Sequence, residues 1–429
     1  MEMKKLFRNL ILLDGSENMT PRSGYAVLVE DENIVAVCPD RELSSDGCEI
    51  VDLKGQYLLP GLVNLHVHIP AGGKPQKKPM DARKMVKLAT ANALTRKYME
   101  HVYKVYCRTE LFSGVTTFRS VGGVEHYDTW IRDLIRAGKA IGPRILAGNM
   151  AISVPGGHMA GSLAYEATSP EEAAAFVRKI AEDRPDLIKL MITGGVLDAT
   201  VKGEPGALKM SPPIVKAACQ EAHRLGFHVA AHVESPEGVR VALENGVDTI
   251  EHGAKPNEEI LELFREKNAV HIATLSPALP YALFDPSVSH VDEMSQFNGE
   301  VVFNGIIECA KQCLAAGIPV GLGTDTGCPY VTHYDMWREL QYFHKCCGVS
   351  KTFALYTATR RNAEIAGLGD VTGSIEPGKC ADFIVCEKNP LEDLTALRNL
   401  SMVVARGKVF REPKVKKMPE VERELDKFL

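Results

Sequence analysis

Between residues 59 and 368, short apolar runs alternate with longer segments whose apolar positions recur every three or four residues. The short runs, at 62–69, 114–121, 143–153, 187–195, 228–233, 248–253, 269–277 and 319–325, read as strands buried on both faces. Segments 169–183, 212–226, 237–246 and 257–268 read as amphipathic helices between them, with Ser169 as N-cap and Glu172 three residues on. This alternation predicts a parallel α/β architecture. Eight such units are the number that closes a (β/α)8 TIM barrel. An open doubly wound sheet more often carries a glycine-rich phosphate loop after its first strand, where this chain has His66 and His68.

The ends of the chain have a different texture. Segment 26–37 alternates around Glu30, Asp31, Glu32 and Asn33 as a hairpin would. Similar strand-and-turn patterns return at 373–390 and 400–410, before a charged surface helix over 416–429. These β-rich ends predict a small β-sandwich domain built from residues 1–58 and 369–429, flanking a barrel over 59–368.

A chain of 429 residues is long enough for a large core, and length alone suggests one large domain with a smaller companion. A net charge of -5, without a basic stripe carrying interleaved aromatics, argues against a nucleic-acid partner. The lysine-rich stretch 73–79 reads as a solvated loop. The apolar run near the N-terminus is broken by Arg8 and Asn9 and stopped by Asp14, so it is not read as an export signal. No stretch is apolar enough to span a membrane. Eleven cysteines without a C-x-x-C pair, among them Cys309 and Cys313 on one helix face and the adjacent Cys346 and Cys347, are expected to be reduced thiols. The expectation is a cytoplasmic protein acting on a small-molecule substrate.

Candidate chemistry gathers at the strand ends. His66, His68, Lys189, His232, His252 and Asp325 fall at the ends of strands one, four, five, six and eight of the count above. Catalytic groups of a barrel project from those ends, and nitrogen and carboxylate donors suit zinc or a similar divalent metal. His66 and His68, two apart on a strand, point to the same side and can grip one ion. Lys189 lies in an apolar strand, where burial disfavours its ammonium. A neutral amine there can add carbon dioxide, and the resulting carbamate can bridge two metals about 3.5–4 Å apart. His232 and His252 would serve the second ion, while Glu251 alternates to the other face and is expected to pack beneath the helices. Asp325 can touch the first metal, take a proton from metal-bound water and return it to a leaving amine.

At these residues the chain resembles the metal-dependent amidohydrolase superfamily, and within it the prolidase-like branch with a carboxylated lysine. The resemblance runs through 58–68, 188–196, 247–253, 321–327 and 372–385, in that order. It implies that His66, His68 and Asp325 hold one Zn2+ and His232 and His252 a second, with a carbamate on Lys189 between them. His158, in a Gly-Gly-His loop, is then expected to polarise the scissile carbonyl or hold the substrate. His333 is expected to face the site. Tyr334, where many relatives carry a small residue, would narrow the pocket, and Ser120 stands where relatives often have an acidic residue. A helix over 81–112 would contribute a lid, and a homo-oligomer is in keeping with relatives that often assemble.

The reaction so implied is hydrolysis of an amide bond, in a dipeptide (Xaa-Pro or similar) or an N-acyl amino acid. The rival enzyme reading is a cyclic-amide hydrolase, similar to imidazolonepropionase, hydantoinase or dihydroorotase, or a ring deaminase. Lys189 speaks against the members of that group that use one metal. A barrel kept only for binding would be expected to lack a ligand, and none of the six is missing.

Overall fold

The computed structural model describes residues 4–76 and 81–429, so the loop expected over 73–79 lies partly outside the described residues. Both chain ends contribute to one seven-stranded sheet. Its order is Lys408–Arg411, Met402–Ala405, Phe383–Cys386, Cys48–Pro60, Lys4–Leu12, Arg22–Glu30, Asn33–Pro39. The expected hairpin is the last pair, closed where Glu30 faces Asn33. Phe7 lies opposite Val51 and Phe383 opposite Pro60. Those two partners would stand about 30 Å apart on a straight strand. Yet the Phe7 and Phe383 rings meet edge to face at 4.9 Å. The sheet therefore doubles over on itself. The bend falls at Lys54 and Gly55, both at positive φ, with Asn9 also left-handed on the neighbouring strand. Phe7, Val27, Val51, Leu58, Phe383 and Val404 form the core enclosed by the fold.

All eight expected parallel strands are present, but they form two sheets rather than one continuous ring of ladders. Leu62–Val67, Val115–Ser120 and Arg144–Ala147 make the smaller. The larger has seven strands and includes Leu187–Met191, His228–Val233, Thr249–His252, Val270–Ala273 and Val320–Leu322. The reasons are local. The run expected over 143–153 breaks at Asn149, a left-handed residue whose N donates to Asp128 Oδ2 and whose side-chain amide pairs with Thr129. Its second part, Ala151–Ser153, moves beside Leu187–Met191. At the other seam, the first strand bulges between Asn64 and Val67. There the Asn64 side chain accepts from Thr324 N at 3.0 Å and donates to Thr324 Oγ1 at 2.8 Å. Farther along, Asp325 N donates to His66 O at 2.8 Å and His68 N to Thr326 O at 2.9 Å.

The helices cover the outer faces. Pro170–Glu182 starts as its sequence predicts, with Glu172 N donating to Ser169 Oγ and the Glu172 carboxylate accepting from Thr168 N. Val177, Ile180, Ile188 and Leu190 share the main core, each worth about 1.5–3 kcal/mol on full burial. The expected 81–112 helix is two, Ala82–Ala89 and Ala93–Phe112, parted by a capping box at Asn92. Arg83 of the first bonds Ala160 O at 2.7 Å and Glu166, against the loop that carries His158. The C-terminal helix Pro419–Leu425 is more than a surface element, since Val421 and Leu425 are buried and Glu422 pairs with Arg338. Among the described residues no helix is long and apolar enough to cross a membrane. All eleven cysteines are free thiols.

Candidate metal centre

Parallel strands bring their C-terminal ends to one place, and the six expected ligands meet there with His158. Asp325 Oδ1 lies 3.4 Å from His66 Nε2 and 3.1 Å from His68 Nε2. The His66 and His252 ring centroids are 4.9 Å apart, those of His252 and His232 4.7 Å, and those of His232 and His158 4.1 Å. Ligand atoms of His66, His68 and Asp325 form one group that could hold a metal ion. Those of His232, Glu234 and His252 form another.

The remaining ring nitrogens fix how each imidazole points. His66 Nδ1 donates to Glu251 Oε2 at 2.8 Å, and His68 Nδ1 to the Gly122 carbonyl at 2.8 Å. Each therefore turns its Nε2 toward Asp325. His232 uses Nε2 on the Gly194 carbonyl at 3.2 Å, which leaves Nδ1 free. His252 engages Thr274 Oγ1 through Nδ1 at 2.7 Å, and its own carbonyl accepts from His271 Nε2 at 2.7 Å.

His252 and Asp325 both sit at positive φ, 66° and 54°. Left-handed backbone is unfavourable for side chains other than glycine and gathers at functional sites. The turn at His252 also undoes the strict alternation expected for its strand. Glu251 does not pack beneath the helices; it is wholly buried, accepting from His66 and from Arg119 Nη2 at 2.6 Å. Arg119 further donates to the Leu65 carbonyl at 2.7 Å, so a buried ion pair backs the first strand where its ligands emerge.

Burial sets the electrostatics. It pushes His66 down to about 4, with Lys189 adding to the effect, and holds His232 and His252 well below the usual imidazole range. Neutral rings keep lone pairs for a cation. Burial alone would raise Asp325, but His66, His68 and His252 outweigh it and keep the carboxyl ionised. Lys189 is 0% exposed, its Nζ has no hydrogen-bond partner among the described residues, and burial lowers it to about 8. An unpartnered buried amine beside carboxylates and imidazoles is costly unless something fills its coordination.

His158 lies flat on His232, planes 6° apart, and its Nδ1 bonds Asp198 Oδ2 at 2.5 Å. Asp198 also accepts from Gly195 N at 2.9 Å, which ties the His158 ring to the turn after Lys189's strand. The other two expected substrate contacts are engaged elsewhere. His333 bonds Glu110 through Nδ1 and the Ala71 carbonyl through Nε2, and stacks on Tyr106. The Tyr334 hydroxyl accepts from Met418 N at 2.8 Å, turning toward the C-terminal helix. Ser120 Oγ donates to Asp128 Oδ2 at 2.7 Å, so a neighbouring residue supplies an acid at that place. Three groups at the site escaped sequence reasoning: Glu234, Asp198 and Tyr281. Glu234 carried a usable signal, since its spacing from His232 matches that of His68 from His66. Tyr281 lines a small cleft with Leu197, Val291 and Tyr330.

The amidohydrolase family's sequence profile matches residues 57–410. A candidate prolidase from Bifidobacterium longum superposes with a TM-score of 0.88 at 34% identity, covering 100% of this chain and 99% of that one. A Xaa-Pro dipeptidase with bound methionine in its active site gives 0.82 at 27% identity, covering 95% and 100%. Among sequences, the ochratoxinase of Aspergillus niger is 27% identical over an alignment 335 positions long that covers 72% of this chain and 68% of that one.

Proposed function

This chain belongs to the amidohydrolase family, and on that premise we propose that it is a binuclear metal-dependent hydrolase for dipeptides (Xaa-Pro or similar) or N-acyl amino acids. Membership of that family and its hydrolase relatives make it an enzyme that hydrolyses carbon–nitrogen bonds. The likeness to a candidate prolidase and to a Xaa-Pro dipeptidase supports the dipeptide reading. We also read the eight parallel strands as a (β/α)8 barrel over 59–368 and the doubled sheet as a β-sandwich of 1–58 and 369–429.

Lys189 carries the reading, as an amine wholly buried, without a hydrogen-bond partner among the described residues and lowered to about 8. Its nitrogen can attack carbon dioxide and lose a proton, giving an anionic carbamate. His66, His68 and Asp325 would then hold one Zn2+ and His232 and His252 the other, with the carbamate oxygens between. Such a pair supplies Lewis acidity and an acidified water. The protein's own groups do the rest. Asp325, kept ionised by its imidazole neighbours, takes a proton from the attacking water and delivers it to the departing nitrogen. His158, oriented through Nδ1 by Asp198, would act on the scissile carbonyl oxygen through a proton carried on Nε2, the donor such an oxygen needs.

The deciding assay is turnover by the zinc-loaded protein of Xaa-Pro dipeptides, dipeptides with a basic C-terminal residue, N-acetyl amino acids and cyclic ureas. Release of a free amino acid from any of the first three supports the reading. Turnover of cyclic ureas alone contradicts it.

A further inference from the structure

We propose that Glu234 is an additional protein ligand at the second cation position, completing a two-histidine, one-carboxylate set with His232 and His252. The inference rests on the two-cation reading above. Glu234 follows the strand His228–Val233, two residues beyond His232, the spacing that lets neighbouring side chains share one side. Ligand atoms of His232, Glu234 and His252 all lie within 4.8 Å of one another, the same span that holds His66, His68 and Asp325.

One oxygen of the carboxylate is left over, since the group's only hydrogen bond among the described residues comes from the Val196 backbone. That oxygen, Oε2, is buried without a hydrogen-bond partner among the described residues. An ionised oxygen left so is costly, and a protonated one would need an acceptor that is not at hand. The nearest like charges, Asp198 and Asp325, make the place still more suited to a cation. The backbone beneath is already set: Glu234 N donates to Thr193 Oγ1 at 3.0 Å. At Gly206 an added Cβ would come within 2.3 Å of the Glu234 carbonyl carbon, so the loop across it packs directly on that peptide.

Charge balance gives the same answer. Asp325 and a carbamate on Lys189 each bring one negative charge to two divalent cations, and Glu234 brings another to the side otherwise served by neutral imidazoles. Two histidines and one glutamate are a set that zinc accepts. Glu234 should therefore hold the second ion rather than touch the reacting atoms.

The test uses the full-length protein and its Glu234→Gln and Glu234→Asp variants, stripped of metal and titrated with Zn2+ against a chromophoric chelator. Wild type should bind two ions per chain. Glu234→Gln should keep the tighter and lose at least about tenfold in affinity for the weaker, while Glu234→Asp, which retains a carboxylate, should recover part of the loss. The visible spectrum of Co2+ in the weaker position should change in Glu234→Gln and not at the tighter position. Unchanged affinities in both variants, with KM alone raised, would make Glu234 a substrate contact and overturn the inference. A wild type that binds one ion would overturn the two-cation reading itself, a distinguishable failure.

Discussion

His66 Nδ1 and Glu251 Oε2 stand 2.8 Å apart, both side chains buried. That bond fixes which nitrogen of His66 faces Asp325, and Arg119 holds the carboxylate in turn. Glu251→Gln should therefore weaken metal binding by about 10–100-fold and leave Arg119 buried without its partner, costing roughly 3–5 kcal/mol of stability. Adding Arg119→Met should restore much of the stability without restoring the metal affinity. Chemical denaturation and chelator competition on the three proteins separate the two effects.

Lys189→Met should leave a folded protein, since it replaces an unpartnered amine with an apolar chain of similar length. It should lose the second metal, and activity should fall by at least about 100-fold if the lost stabilisation is several kcal/mol. Metal counting by plasma emission together with turnover checks both.

The same lysine predicts a pH dependence. Only the neutral amine adds carbon dioxide, and burial lowers the group from 10.5 to about 8. Reactivation of metal-free enzyme, at constant dissolved carbon dioxide, should rise about tenfold per pH unit below 8 and flatten above it. For the uncarboxylated protein the folded pKa is the lower one, so the unfolded chain binds more protons between about 8 and 10.5. This group's contribution to stability therefore rises with pH across that window. A reactivation rate flat from pH 6 to 9 would contradict the shift.

Asp198→Asn changes the group that fixes His158 and touches none of the six ligands. Metal content should stay at the wild-type value while kcat falls, by up to the 10²–10³-fold (order of magnitude) typical of a lost donor. A matching loss of metal would instead make the His158–Asp198 pair part of the metal-holding structure.

That His66, His68, Lys189, His232, His252 and Asp325 gather in one place was legible because parallel strands present their C-terminal ends together, so residues far apart in sequence could be grouped by position alone. Glu251 was misread for a physical reason: alternation holds only while the backbone stays extended, and His252 leaves it at φ 66°. Asp198 belongs to a short turn, Val196–Asp198, with no periodicity to mark it. His333 and Tyr334 were expected to face the substrate, but partners distant in the chain, Glu110 and Met418, claim them. The break at Asn149 depends on Asp128 and Thr129, twenty or so residues earlier, which no local pattern discloses. The amidohydrolase and prolidase-like resemblance, carried by the order of motifs along the whole chain, is borne out by the family match and the solved neighbours.

The most direct measurement is a crystal structure of the zinc-loaded protein, grown with bicarbonate and phased with anomalous data at the zinc edge. The account predicts two peaks about 3.5–4 Å apart, joined by planar density continuous with Lys189 Nζ. One peak beside a bare amine, with nothing bound to that nitrogen, would contradict it.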